Sequence, residues 1–399
     1  MKELELYIHI PFCERKCLYC DFLSFPCDKE ERDAYFIALI NEIRAASFEL
    51  REYIVVSVFI GGGTPSLVDE KYIASIMKVV RENYKLSKDC EITIEANPNS
   101  ITEEKLRTWK EVYINRISIG LQSSNDDELK KLGRLYNYAE FERAYSEAVR
   151  AGFENINVDI MSDIPGQTLE SYKSTLKKVT ELKPAPEHIS AYSLIVEEGT
   201  PFYDMSERGE LNIPDEDIDR EMYAFTKEYL EEKGYKRYEI SNYAKDGYEC
   251  RHNLGYWMRR EYRGFGLGAA SLIENERVSN TEDFEVYIKY WGNAPLTDAD
   301  PDMAPAVTNI QRLSINDRME ETMFLGLRTI QGVDIEGFRK AFGRDIFEVY
   351  GKAIEKNIND GLLETKVCSK TGENAAHRYL ALTDKGLDVS NYVMAQFLL

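Results

Sequence analysis

The sequence predicts an α/β chain built on an open, partial (β/α)6 barrel of TIM-like wiring. An α+β extension and a small winged-helix-like helical domain come after it. Three observations carry that expectation. Short β-rich runs alternate six times with stretches of helical periodicity in the first two hundred residues. Polar and glycine residues fall after every one of those runs, as on the rim of a barrel, rather than at one crevice. From about residue 205 the alternation gives way to a different pattern.

The six strands read as Leu4–Ile10, Val55–Ile60, Glu91–Glu95, Arg116–Gly120, Asn155–Ile160 and His188–Leu194. Between them lie apolar stripes at helical spacing: Phe36, Leu39, Ile40, Ile43; then Ile73, Ile76, Met77, Val80; then Phe141, Ala144, Tyr145, Ala148. Such stripes are core. The strand ends carry the chemistry. Cys13, Cys17 and Cys20 come after the first strand, Gly61-Gly62-Gly63-Thr64-Pro65 after the second, and Glu95 ends the third. Gln122 lies just past the fourth, Asp159 ends the fifth, and Tyr192 or Ser193 ends the sixth. The barrel is read over 1–205. Residues 206–292 form the extension, with helical spacing at Met222, Phe225 and Tyr229, then aromatic and glycine-rich strands and loops from Tyr235 to Ser271. Residues 293–312, rich in Pro, Ala and Asp, read as a linker. Residues 313–399 read as the small terminal domain, with helical positions at Phe347, Tyr350, Ile354 and Ile358 before a hairpin at Tyr379–Thr383.

Charge narrows the function. Lys and Arg total 50 against 70 for Asp and Glu, a formal −20, which argues against nucleic acid and anionic lipid as partners because both need a basic face. No run of about 18 apolar residues is present, and the start, Met1 to Tyr7, lacks the apolar stretch of a signal peptide. A soluble cytoplasmic protein is the expectation. Seven cysteines, with three crowded together, fit metal binding in a reducing compartment better than a disulfide framework.

The strongest signal is Cys13-x3-Cys17-x2-Cys20. Three closely spaced thiolates can occupy three irons of a cubane cluster and leave the fourth open to a small molecule. The alternative is zinc, which wants four ligands, usually as two spaced pairs. His9 and Cys27 are the nearby extras, and neither sits at a zinc-finger spacing.

This pattern after a first strand resembles the signature of radical S-adenosylmethionine (SAM) proteins. The frame Tyr7-x-His9-x-Pro11-Phe12-Cys13 is similar to the oxygen-independent coproporphyrinogen III oxidase group. The likeness continues through Gly62-Gly63-Thr64-Pro65, Ser118-Ile119-Gly120-Leu121-Gln122-Ser123, Leu132-Gly133-Arg134, Asn157-Val158-Asp159, Ile164-Pro165-Gly166-Gln167-Thr168 and His188 to Ser193, and covers nearly the whole chain. It implies a [4Fe–4S] cluster on Cys13, Cys17 and Cys20, with SAM chelated to the open iron. It also implies SAM contacts at Tyr7, Tyr19, Gly62, Gly63, Thr64, Glu95, Gln122, Arg134 and Asp159. Arg134 is the natural partner of the SAM carboxylate, and Asp159 and Gln122 are acceptors for its ribose.

The group divides into oxidases and HemW-like heme chaperones. The oxidases carry a further Cys two residues after the third, where this chain has Phe22, and a longer region before strand one. Both departures favour the chaperone branch, whose hallmark resembles His252-Asn253-Leu254-Gly255-Tyr256-Trp257. The resemblance then implies heme as cargo on His252, with Cys250 as an alternative or second ligand. It implies delivery to apo-haemoproteins such as respiratory cytochromes, without oxidase activity. It leaves open productive SAM cleavage and a homodimer. His188 and His377 read as structural, and His9 as orienting the cluster loop. Two further departures are Ala270, where the family has histidine, and Ser162-Asp163, where it has Tyr-Gly.

Overall fold

The computed structural model describes residues 1–292, 306–369 and 376–399. It begins with β1 (Lys2–Ile10), buried from Leu4 onward except at half-buried Tyr7. α1 (Lys29–Ala46) starts at a capping box in which Asp28 and Glu31 exchange hydrogen bonds. The alternation continues through β2 (Tyr53–Gly62), α2 (Glu70–Asn83), β3 (Leu86–Ala96), α3 (Glu103–Glu111) and β4 (Arg116–Gln122). After α4 (Asp126–Lys131) and α5 (Tyr138–Arg150) come β5 (Ile156–Ser162), α6 (Leu169–Thr180) and β6 (His188–Ser193). Neighbouring strands from β1 to β6 pair in parallel, in sequence order. The apolar stripes of α1, α2 and α5 are buried, apart from partly buried Ile40, so each helix is held by one face.

α7 (Pro201–Glu207) and α8 (Glu216–Glu232) lead to β7 (Lys236–Arg237) and β8 (Asn242–Ala244). Next come α9 (Arg251–Trp257), β9 (Tyr262–Phe265), β10 (Ala270–Ile273), β11 (Glu276–Asn280), α10 (Phe284–Trp291) and β12 (Val307–Arg312). These short strands do not form a layer of their own. β9 joins β1 in parallel and β8 joins β6 antiparallel, giving a sheet ordered β12-β11-β10-β9-β1-β2-β3-β4-β5-β6-β8-β7. Its two edges do not pair among the described residues, so the barrel is open. Met222, Tyr243, Phe265 and Tyr287 from the extension share one apolar core with the barrel strands.

Two expectations need correction. Of the predicted linker, residues 293–305 lie outside the described residues, while Val307–Arg312 is a strand paired antiparallel with β11. The stretch from Tyr235 to Ser271 also contains the helix α9, not strands and loops alone.

The terminal domain runs α11 (Ile315–Gly326), β13 (Val333–Asp334), α12 (Ile335–Phe342), α13 (Ile346–Asn359), β14 (Leu363–Ser369) and β15 (Ala376–Leu382), then α14 (Asp384–Asp388) and α15 (Ser390–Met394). Helix, strand, two helices and a hairpin, with the sheet ordered β13-β15-β14, is a winged-helix-like arrangement around its own core. A bridge between Glu239 and Thr329, and a bond from the Ile330 amide to the Tyr238 carbonyl at 3.0 Å, tie it to the extension. No described helix is long and apolar enough to cross a membrane.

Candidate functional site

The rim at the C-terminal ends of β1–β6 encloses a cavity of about 410 Å3. Its walls bring together Cys13, Cys17, Cys20, Tyr19, Gly62, Gly63, Thr64, Glu95, Gln122, Arg134 and Asp159. Of the residues expected at the site, Tyr7 and His252 alone lie elsewhere.

The cysteine loop is fixed at several points. The Cys13 amide donates to the Phe25 carbonyl and the Phe25 amide to the Pro11 carbonyl, closing the loop at its base. The Leu18 amide reaches the Leu132 carbonyl, and Arg15 Nη2 reaches the Gly133 carbonyl at 2.7 Å, so the loop is tied to the segment before Arg134. His9 secures it from below: Nε2 lies 2.9 Å from the Leu23 carbonyl, and Nδ1 lies 3.0 Å from the Tyr7 hydroxyl. Burial lowers the His9 pKa, and both ring nitrogens are engaged by protein partners, so the ring serves the loop. The three thiols are half-buried, and burial pushes the Cys20 thiol up. A positive centre drawing thiolates together would reverse that push.

The glycine turn after β2 is dictated by crowding. Gly62 has φ +114°, and a Cβ there would lie 2.5 Å from the His9 ring. A Cβ on Gly63 would lie 2.9 Å from the Phe12 carbonyl oxygen. Only glycine lets this turn lie against the cysteine loop.

Two carboxylates line the same cavity. Glu95 Oε2 accepts from the Gly62 amide at 3.1 Å. Burial, and then the charge of Asp159, push the Glu95 carboxyl up to about 7. Asp159 is also raised by burial, although Asn157 Nδ2 donates to it at 2.7 Å and Ser118 Oγ at 3.2 Å. Two desolvated carboxyls side by side favour a cationic ligand. Arg134 supplies the complement: Nη1 donates to Asn97 Oδ1 at 3.1 Å, Nη2 donates to the Tyr19 hydroxyl, and Nε is buried without a protein acceptor. Gln122, at φ 69°, accepts from the Tyr192 hydroxyl at 2.9 Å. The cavity thus pairs an anion-binding arginine with carboxyls awaiting a cation, beside three thiols. That donor set fits a cluster with a zwitterionic, sulfonium-bearing ligand.

Sequence reasoning missed Asn97, whose Nδ2 donates to Thr64 Oγ1 at 3.1 Å while its Oδ1 holds Arg134. Its position just past Glu95, at the end of β3, was the signal that could have found it.

His252 lies away from this rim. The resemblance implies it as a heme ligand, and in this conformation it is 1 % exposed. Nδ1 lies 2.8 Å from Ser57 Oγ and Nε2 3.1 Å from the Tyr256 hydroxyl, while the ring stacks on Phe59 with centroids 5.0 Å apart. Burial drops its pKa to about 3. Cys250 is equally hidden, with its thiol 3.6 Å from Glu91 Oε1. In this conformation neither residue offers a free ligand atom to iron. They seat α9 instead. Glu91 accepts from the amides of Arg251 and His252, and a Cβ on Gly255 would collide with Glu5 of β1 at 1.9 Å. His188 is likewise buried, between Asn157 Oδ1 at 2.6 Å and the Tyr238 hydroxyl at 2.8 Å.

Comparison with known proteins places this geometry. The model of the radical SAM superfamily matches residues 7–179, and that of the HemN C-terminal domain matches residues 313–366. The chain is 35% identical to the heme chaperone HemW of Lactococcus lactis over 395 residues, spanning 98% of this chain and 97% of that protein. It is also 35% identical to HemW of Bacillus subtilis, over 98% of both chains. Among solved structures it resembles the coproporphyrinogen III oxidase HemN from Escherichia coli. The TM-score is 0.80 at 22% identity, covering 99% of this chain and 90% of that one. At that identity the likeness is one of fold.

Proposed function

The chain belongs to the HemW family within the radical SAM superfamily, and on that premise we propose that it is a heme chaperone. It carries a [4Fe–4S] cluster and SAM, binds heme and delivers it to apo-haemoproteins such as respiratory cytochromes, without coproporphyrinogen oxidase activity. The observation that carries this reading is the end-to-end likeness to proteins named for heme chaperoning, in which almost no part of either chain goes unmatched.

Cys13, Cys17 and Cys20 would hold the cluster. When bound, it supplies one-electron reduction of the SAM sulfonium. The chain's own residues set the terms around it. Arg134 neutralises a ligand carboxylate, Glu95 and Asp159 face positive charge and hydroxyls, and the Gly62–Thr64 turn leaves room for backbone contact. Phe22 supports the chaperone branch. It is 63 % exposed at the cavity mouth and presents an apolar ring where the oxidases have a thiol. Three unpaired thiols on one loop suit a reducing cytoplasm.

The test is anaerobic reconstitution, then assays of iron, sulfide and zinc, a heme titration, and incubation with reductant, SAM and coproporphyrinogen III. Iron and sulfide near four each per chain, saturable heme binding and no protoporphyrinogen IX are expected. Catalytic formation of protoporphyrinogen IX would move the protein to the oxidases. Stoichiometric zinc without sulfide would remove the cluster.

A further inference from the structure

The inside of a parallel α/β barrel is ordinarily filled with branched apolar side chains. Here each of the six barrel strands contributes a buried polar one: Glu5, Ser57, Thr93, Arg116, Asn157 and His188. Ser118 of β4 marks the inward face, since its Oγ donates to Asp159 Oδ2 at 3.2 Å and accepts from Asn157 Nδ2 at 2.7 Å. Arg116 stands two residues earlier on the same strand, so its side chain leaves the same face one layer deeper. It pairs in register with Thr93 of β3, as Ser118 pairs with Glu95. Arg116 is 2 % exposed, and its Nε is buried without a protein acceptor. A buried guanidinium with an unmet donor costs stability, which points to a role beyond packing.

We propose that Arg116 is a positioning residue for SAM: from beneath the cavity it holds Glu95 and Asp159 as the anions that face the ligand's sulfonium and hydroxyl groups. The inference rests on the SAM-binding reading above and adds what keeps those two carboxylates charged. Both need such a cation. Burial disfavours charge on each, and Asp159 disfavours it further on Glu95. Their direct hydrogen-bond donors are neutral: the Gly62 amide for Glu95, and Asn157, Ser118 and Ser190 for Asp159. The other titratable groups facing the pair are Tyr7 of β1, Tyr136 before α5 and Tyr192 of β6, whose phenols burial keeps neutral. Arg134 is engaged by Asn97 and Tyr19. Arg116 is the cation whose charge acts on both carboxyls.

On its deeper side Arg116 feels Glu91 of β3, and Cys250 and Tyr238 of the extension. Burial pushes the Cys250 thiol up to about 12 and raises Tyr238, so both are neutral near pH ~7. His188 and His252, which also feel Arg116, are held neutral by burial and by that charge. Glu91 is therefore the anion that competes with the rim carboxyls for the guanidinium. One layer of strand is about 6–7 Å, and across a buried interior a charge at that range is little screened by salt.

The test measures SAM affinity of the reconstituted full chain by equilibrium dialysis across about pH 6–9. In the wild type, affinity should fall on acidification as the Glu95 carboxyl, at about 7, takes a proton. Removing the cation favours the protonated carboxyls, so Arg116→Met should move that fall about one pH unit toward alkali. SAM then binds severalfold more weakly near pH ~7 and recovers toward wild type at the alkaline end. Arg116→Lys keeps the charge and should keep the wild-type profile, whereas Glu91→Gln removes the competing anion and should move the fall toward acid. In Arg116→Met, no loss of affinity, or a loss by the same factor at every pH, would overturn the proposal, since packing alone does not titrate. A lysine variant displaced as far as the methionine variant would do the same. Should Arg116→Met lose its cluster, Glu91→Gln decides: an unmoved profile overturns the proposal. Failure of the wild type to bind SAM would overturn the SAM reading and the inference together.

Discussion

The Cys13, Cys17 and Cys20 thiols stand on one loop over one cavity, whereas Cys27 precedes the N-cap of α1 and does not line that cavity. Alanine at any of the first three should abolish the visible absorption of the reconstituted cluster, and Cys27→Ala should keep it. Loss of iron in Cys27→Ala as severe as in Cys20→Ala would contradict this division. Glu95 gives a second prediction. Its carboxyl titrates at about 7 in the fold, against an ordinary 4.5. The folded chain therefore keeps a proton that the unfolded chain releases. Stability from this group is fully present below pH ~4.5 and falls as pH rises to ~7, by up to about 3 kcal/mol. Glu95→Gln should flatten that part of the stability–pH curve of the cluster-free protein, measured by denaturant unfolding. An unchanged slope would mean that Glu95 is ionised throughout. The strand-end residues of this cavity were legible because the strand pattern brings them to one rim, whereas Tyr19 and Arg134, which end no strand, came only from the family resemblance. The place of His252 was not legible. Residue type says that an imidazole can bind iron, but its burial on α9, against Ser57 and Phe59 of β2, is a tertiary fact.

Among elements, the tight packing of the glycine turn against the cysteine loop sets the next prediction. Gly62→Ala forces a side chain into a left-handed backbone and into the His9 ring, so it should destabilise the fold by about 2 kcal/mol or more and lower cluster occupancy. Wild-type unfolding and iron content would show that the turn yields. α9 makes the complementary case. His252→Ala removes a buried ring and strands the Ser57 and Tyr256 hydroxyls, costing about 2–4 kcal/mol. Thermal unfolding of the variant checks this, and a stability equal to wild type would mean that α9 does not depend on the imidazole. The long strands and amphipathic helices of the barrel were readable from period and length. The extension was not, because strands of two to five residues such as β7 and β11 carry too few side chains to show alternation. β12, six residues long and mostly exposed, hid next to a Pro- and Ala-rich stretch because it shows no alternation of buried and exposed side chains.

Across the whole molecule, one continuous sheet links two cavities. Tyr7 lines a second, open cleft and its hydroxyl meets His9, which holds the cysteine loop and packs on Gly62, so a single strand, β1, borders both. That cleft, also lined by Tyr256, Tyr262 and Arg277, is bordered by Leu325 of the winged-helix-like domain, whose Glu321 holds Arg259 and Arg277. Sequence periodicity foresaw both units but not their shared border, since the pairing of β9 with β1 joins residues more than two hundred positions apart. The central claim is that this architecture carries heme in order to release it. The direct measurement is transfer of heme from the loaded, cluster-bearing protein to an apo-cytochrome, monitored by the acceptor's absorption spectrum, with the same heme presented on serum albumin as reference. The account predicts that the cytochrome spectrum develops faster from this protein than from albumin. Transfer no faster than from albumin, with heme retained on the chain, would contradict it.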